Sequence, residues 1–189
     1  MNLGSSLPRP VPAPAAATAE LELIHGAAAG DAHAFDELVR LHHRRVYNFL
    51  FQLTRNRHDA EDLTQQTFIK AYRHFDRFEP SRPLINWLLT IARHGALNLF
   101  RDTRRWSELS WETTDAEPSP AATTEMHDRS ARLWDRARST LSPREFEVLW
   151  LRFAEDLSTG ETARITGLTG THIKVLVHRS RQKLLKGEL

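Results

Sequence analysis

The chain predicts an all-α fold of two small helical domains, an N-terminal helical bundle and a C-terminal helix-turn-helix, joined by a flexible linker. Three observations carry this. Apolar residues recur at three- and four-residue spacing through most of the sequence, the period of an amphipathic helix. No segment sustains the period-two alternation with β-branched enrichment that marks a half-buried strand. Residues 107–131, from Ser107 through Glu117-Pro118-Ser119-Pro120, are polar, proline-bearing and non-periodic, and read as a linker. The domains are therefore set at 20–106 and 132–189.

Residues 1–19 are rich in Pro and Ala and lack a charged leader followed by an apolar core. They read as a disordered tail and not as a signal peptide. A short helix is expected between Glu20 and Ala29. Asp31 can cap a long helix whose stripe is Phe35, Leu38, Val39, Val46, Phe49, Leu50 and Leu53. Asp59 can cap a second, Ala60 to Phe75, with Leu63, Thr67, Phe68, Ala71, Tyr72 and Phe75 inward. Glu79-Pro80-Ser81-Arg82-Pro83 breaks the pattern, and a third helix runs from about Leu84 to Arg104 with Leu84, Trp87, Leu88, Ile91, Gly95 and Leu99 on one face. Trp106 and Trp111 flank the linker as candidates to pack back on a domain.

Past the linker, Ser142-Pro143-Arg144-Glu145 is a capping box with Pro at the first helical position, and Leu141 and Phe146 stand where a hydrophobic staple lies. Ser158-Thr159-Gly160-Glu161 repeats the capping-box signal, Gly167 stops that short helix, and Thr169 can cap another over about Gly170 to Leu185. The last helix carries Lys174, Arg179, Arg181 and Lys183 with no acidic residue. Two helices around a Gly-bearing turn, the second one basic, outline a helix-turn-helix that enters DNA.

Net charge is only +2, so its distribution says more than its sum. Arg93, Arg101, Arg104 and Arg105 stand against the single Asp102, and the last helix is a second basic cluster. Each is open to two readings, a phosphate contact or a solvated helix face. There is no apolar run long enough to span a membrane. The absence of cysteine excludes disulfides and thiolate metal sites and fits a reducing cytoplasm. Ten histidines invite a metal reading, with His42-His43 beside Asp36 or Glu37, but no His-Glu-x-x-His is present. His42 lies near the apolar stripe, so a partly buried structural histidine is the expectation, with no metal and no cofactor. Neither a Gly-rich phosphate loop nor a nucleophile elbow occurs, and the chain is not expected to be an enzyme.

The second helix leaves Asp62, Gln65, Gln66, Ile69, Lys70 and Arg73 outward. Ile69 is an apolar side chain on a polar face, either a lone exposed Ile or the centre of a docking surface rimmed by Asp62 and Gln65.

Asp59-Ala60-Glu61-Asp62-Leu63-Thr64-Gln65-Gln66-Thr67-Phe68-Ile69-Lys70-Ala71-Tyr72 resembles the core-polymerase-binding helix of bacterial sigma factors of the extracytoplasmic-function group. Asn86-Trp87-Leu88 through Ile91-Ala92-Arg93 is similar to that family's promoter-melting helix, and Leu141 to Glu145 with Leu157 to Arg181 is similar to its C-terminal promoter reader. The resemblance covers about residues 28–106 and 135–186. It implies an initiation factor that binds core RNA polymerase and directs promoter recognition and melting in the cytoplasm, with an anti-sigma factor as a further partner and no small-molecule substrate. It places Asp62, Gln65, Gln66 and Ile69 on the polymerase clamp. Phe78, Arg82 and Asn86 would hold a base extruded from the −10 element, Trp87 being open to core packing or base stacking. Arg93, Arg101, Arg104 and Arg105 would hold the adjoining phosphates. At the −35 element, Thr171, His172, Lys174 and Val175 would meet base edges and His178, Arg179 and Arg181 phosphates, while Ile173, Leu176 and Val177 face the domain core. Lys183 and Lys186 read as a solvated tail. Departures from the family pattern stand at Gln66, His94, Asn98, Gly160, Thr162 and Leu176. A stand-alone helix-turn-helix regulator is the rival reading, and it leaves the motifs at 59–72 and 86–93 without a role.

Overall fold

The computed structural model describes residues 14–102 and 125–186, and side chains over 18–101 and 132–186. All regular structure among them is helical: α1 (Pro14–Ala28), α2 (Ala32–Thr54), α3 (Arg57–Arg73), α4 (Leu84–Asp102), α5 (Glu125–Thr140), α6 (Pro143–Leu149), α7 (Thr159–Thr166) and α8 (Gly170–Lys186). The first helix begins at Pro14, inside the span expected to be a disordered tail, and α5 begins at Glu125, inside the span expected to be linker. Ala-rich and Arg- and Ala-bearing stretches favour helix once one face can pack.

Helix starts follow local chemistry. Asp31 accepts hydrogen bonds from the amides of His33 and Ala34 and caps α2. Asn56, three residues ahead of the expected Asp59, caps α3 by accepting from the Asp59 amide at 3.1 Å. Asn56 holds the extended backbone that a cap requires, and Asp59 falls in the first turn, where its charge complements the helix dipole. Further along, α3 ends at Arg73 and a 3₁₀ turn, Phe75–Arg77, leads to the Pro83 break before α4.

The N-terminal core follows the expected stripes on α2 and α3, but on α4 the buried face is rotated to Leu84, Ile85, Leu88, Leu89, Ala92, Ala96 and Phe100, and Trp87, Ile91, Gly95 and Leu99 are only half-buried. Val46, Phe49, Leu50, Leu88 and Leu89 are wholly or almost wholly buried among α2, α3 and α4. At Gly95 a Cβ would lie 3.2 Å from Leu63 Cδ2, so the absence of a side chain there lets α4 pack tightly on Leu63 of α3. Tyr72 departs from the expected stripe: it is 54% exposed, with its ring edge-on to Phe35 at 5.0 Å. His42 is buried, as a structural histidine should be, and its Nε2 lies 3.1 Å from Glu20 Oε1 on α1. Burial holds its pKa below the ordinary value although Glu20 pulls it upward.

In the C-terminal half both capping boxes form, Ser142 with Glu145 and Ser158 with Glu161. Leu141 and Phe146 lie in one apolar cluster with Ala137 and Leu149, which bears out the staple. After Leu149 the chain runs into a π turn, Trp150–Ala154, and Gly167 closes α7 with φ 70°, a conformation that favours glycine. Val148, Ile173 and Leu176 form the core beneath α8.

The two halves are in contact. Leu151, Leu157 and Ile165 of the C-terminal half belong to the same apolar cluster as Phe49 and Leu88, with α7 lying against α4. Three polar links border this contact: Arg93 to Glu147 at 2.6 and 3.4 Å, Arg45 to Glu155 at 2.8 and 3.0 Å, and Asn86 Nδ2 to Glu161 Oε1 at 2.7 Å. Burial pushes the Glu147 carboxyl above its ordinary range, with Arg93 pulling against it. Nearby, burial and the like charge of Arg55 lower Arg138 to about 10, with Asp135 opposing.

Candidate functional site

Three surfaces collect the residues singled out in the sequence. On α3, Asp62, Gln65, Gln66 and Ile69 are all exposed, because Leu63, Thr64, Thr67 and Phe68 occupy the buried side of the helix. Thr64 and Thr67 satisfy their hydroxyls by donating to the carbonyls of Ala60 and Leu63 at 2.7 Å, so they sit inside at little polar cost. Ile69 is 44% exposed. With Gln65, Phe68, Tyr72, Phe35 and Val39 it lines a groove of about 760 Å³ between α2 and α3. Ile69 is therefore not isolated: it shares the groove with Phe35, Val39, Phe68 and Tyr72, among the polar Asp36, His43, Glu61 and Arg73. Asp62 and Gln66 lie outside the groove, and Asp62 stands 3.7 Å from His58.

Phe78, Arg82 and Asn86 come together around one cavity of about 310 Å³, which Trp87, Arg77 and Thr90 also line and which Glu161, Arg164 and Ile165 close from the C-terminal half. Phe78 is buried, with ring centroids 5.6 Å from Phe75 and 5.4 Å from Trp87, so it is at once core and cavity wall. Trp87 resolves likewise: half-buried, edge-on to Phe75 at 6.0 Å, and on the cavity. Arg82 pairs with Glu79 at 3.0 Å. Asn86 has its amide nitrogen on Glu161, while its Oδ1 is buried without a partner.

Arg93 is a correction. Expected on the phosphates, it is buried and clasped by Glu147. Spacing puts position 93 opposite the expected stripe, but the buried face of α4 runs through Leu89, Ala92, Ala96 and Phe100, and Arg93 lies beside it where the C-terminal half docks. Arg101 is exposed; Arg104 and Arg105 lie outside the described residues.

A second recess on the same helix went unread in the sequence. Lys70, His74, Arg77 and His94 line a cavity of about 240 Å³ together with Trp87 and Ile91, with no carboxylate in its wall. The sequence holds only part of the signal: Lys70 and His74, the residue that caps α3, are one turn apart, and Trp87, Ile91 and His94 share a face of α4 at helical spacing, but the packing of the two helices is what joins them. His94, a departure from the family pattern, thus adds an imidazole to a cationic recess.

On α8 the expected division between exposed and buried side chains holds, and only Lys183 departs from its expected setting. Thr171, His172, Lys174, Val175, His178, Arg179 and Arg181 are all exposed. Ile173 and Leu176 are buried and Val177 is half-buried. Leu176 is thus a core residue, which explains why a basic residue is absent there. Lys183 is no solvated tail: its ammonium donates to both oxygens of Glu145 at 2.7 and 2.8 Å. Gly160 falls in the first turn of α7, where a Cβ would meet only Ser158 Oγ at 4.0 Å. Among the described residues no group of three or more potential metal ligands occurs, and no helix is long and apolar enough to cross a membrane.

Comparison with known proteins agrees with this geometry. Residues 38–106 match the family described as Sigma-70 region 2, and residues 131–184 match Sigma-70, region 4. The chain is 33% identical over 162 residues to the RNA polymerase sigma factor CarQ of Myxococcus xanthus, covering 85% of this chain and 93% of that one. It is 34% identical over 171 residues to the ECF RNA polymerase sigma factor BldN of Streptomyces coelicolor, covering 88% of this chain and 64% of that longer protein. Among solved structures it is similar to the sigma factor RpoE of Bartonella quintana in complex with the anti-sigma factor NepR, with a TM-score of 0.65 at 27% identity, covering 80% of this chain and 94% of that one. The order and spacing of the three surfaces, and these likenesses across both halves, place the chain in the extracytoplasmic-function group of bacterial RNA polymerase sigma factors, a family of initiation factors and not of enzymes.

Proposed function

We propose that the chain is a promoter-specificity subunit that binds core RNA polymerase in the cytoplasm, reads two promoter elements and opens the DNA. The division of labour follows the domains, with 20–106 for the polymerase and the −10 element and 132–189 for the −35 element. The groove beside Ile69 gives the clamp an apolar centre, with Gln65 on its wall and Asp62 and Gln66 as polar surroundings. At the −35 element, the exposed face of α8 supplies Thr171, His172, Lys174 and Val175 to base edges and His178, Arg179 and Arg181 to phosphates.

The observation that carries this reading is the cavity lined by Phe78, Arg82, Asn86 and Trp87. An extruded base needs stacking surface and edge hydrogen bonds to offset the few kcal/mol of unstacking. Trp87 supplies the first, and the amide of Asn86 and the guanidinium of Arg82 supply the second. The cationic recess of Lys70, His74, Arg77 and His94 adjoins it through the shared Trp87 and Arg77, and is suited to a backbone phosphate of the opened strand. On sequence grounds Arg101, Arg104 and Arg105 are assigned to the adjoining phosphates. An anti-sigma factor, as in the RpoE–NepR complex, is the expected regulatory partner, competing for the α3 groove. Permanganate footprinting of a promoter bound by core polymerase and this chain tests the reading. Reactive thymines confined to the −10 region support it, and a closed duplex under a bound complex rejects it.

A further inference from the structure

Beside the −10 cavity, Lys70, His74, Arg77 and His94 line a recess of about 240 Å³ whose apolar wall is Trp87 and Ile91. Three elements build it. Lys70 and the cap residue His74 come from α3, Arg77 from the 3₁₀ turn and His94 from α4. All four side chains are exposed, and none of them is in an ion pair among the described residues. The acids of the intervening segment are elsewhere: Asp76 and Glu79 lie outside the wall, and Glu79 is paired with Arg82. A concave surface that gathers cations and imidazoles without a carboxylate attracts an anion. Its position says which anion. Arg77 and Trp87 line both this recess and the cavity for the extruded base, so an occupant of the recess adjoins that base, where a strand carries its phosphodiester.

We propose that this recess is a proton-linked phosphodiester site for the opened −10 strand, with His74 and His94 as the groups that take up charge when the strand enters. Imidazole is the side chain that changes charge between about pH 5 and 8. Neutral, it offers a phosphate one donor; protonated, it offers two donors and a positive charge. A phosphate therefore binds the protonated recess more tightly, and by reciprocity the strand draws protons onto the imidazoles as it binds. The groups that face them are Lys70 from α3, Arg77 from the 3₁₀ turn and the apolar Trp87 and Ile91 from α4, so no carboxylate competes with the phosphate for an imidazolium. Lysine and arginine keep their charge across this range and supply a contact without pH dependence. The sign follows: strand binding tightens as pH falls through the neutral range. This rests on the −10 assignment made above.

The test uses holoenzyme assembled from core polymerase and the full chain, with a short single-stranded oligonucleotide of −10 non-template sequence as the probe. From about pH 8 to about pH 6 the natural chain should gain about tenfold in affinity. With His74→Gln and His94→Asn together the gain should fall to about twofold or less, while co-purification with core shows that the variant is folded. His94→Lys, whose charge is fixed, should recover part of the gain already at about pH 8. A second measurement leaves the protein untouched. A neutral methylphosphonate at one linkage beside the extruded base should remove the same gain, and one at a distant linkage should not. A gain absent from the natural chain, unchanged in the double variant, or surviving a methylphosphonate at every position would overturn the proposal. If the natural holoenzyme binds the oligonucleotide at neither pH, the −10 assignment itself has failed and takes the proposal with it; binding without the pH dependence overturns the proposal alone.

Discussion

The Lys183 ammonium of α8 donates to both carboxylate oxygens of Glu145, 2.7 and 2.8 Å away, and so ties the end of α8 to the start of α6. Glu145 also closes the capping box with Ser142. Burial alone would raise its pKa, but the hydrogen bonds from Lys183 and Ser142 prevail and hold it below the ordinary carboxylate range. A carboxylate depressed in the folded state stabilises fully above its unfolded pKa, and this is lost as pH falls through the folded value. Thermal melting should therefore show a decline below about pH 4.5 that is smaller in Lys183→Met. An identical acid limb in that variant would contradict the link.

Ile69→Glu should abolish co-purification with core polymerase, a loss of at least about thirtyfold from about 2 kcal/mol at a central apolar contact. Its side chain is 44% exposed, so the melting curve should move by no more than about 0.5 kcal/mol. Pull-down and circular dichroism on one preparation check both, and undiminished pull-down would remove the docking face.

Thr162 is fully buried in α7 and its hydroxyl has no partner. Thr162→Val keeps the shape and removes the unsatisfied group, and should stabilise the chain by about 1 kcal/mol. Chemical denaturation measures it; a destabilised variant would mean that the hydroxyl has a partner after all.

On α8, Arg179→Ala should weaken duplex binding evenly across promoter sequences and reduce the salt slope by about 1, whereas Lys174→Ala should change base preference. Leu176→Arg should not strengthen binding. Leu176 is 8% exposed in the core with Val148 and Ile173, so the substitution should cost about 2 kcal/mol or more. Binding titrations at several salt concentrations and a melting curve separate these outcomes.

Much of this was legible in the residues. The stripes on α2 and α3, both capping boxes, the staple of Leu141 and Phe146, and the alternation on α8 between Ile173 or Leu176 and the exposed side chains follow from helical period and cap chemistry, whereas α4 is apolar on most of its circumference and buries Ile85, Leu89, Ala92 and Ala96 in place of Trp87, Ile91 and Leu99. What was not legible was long-range. Arg93 looks the same in sequence whether it faces a phosphate or Glu147, because periodicity gives a face and not what covers it. Spacing puts Tyr72 inward, yet it sits at the lip of the groove with its ring edge-on to Phe35. The recess of Lys70, His74, Arg77 and His94 draws on two helices and a 3₁₀ turn, and only their packing brings those residues together. The cap of α3 shifted to Asn56 because two good capping residues stood three positions apart and backbone geometry chose between them.

The most direct measurement is reconstituted run-off transcription from a promoter library with core polymerase and the purified chain. Promoter-selective transcripts that need the chain, and that vanish with Ile69→Glu, are the expected result. Failure to bind core or to direct any transcript, with duplex DNA affinity retained, would contradict the initiation-factor reading and leave a stand-alone DNA-binding regulator.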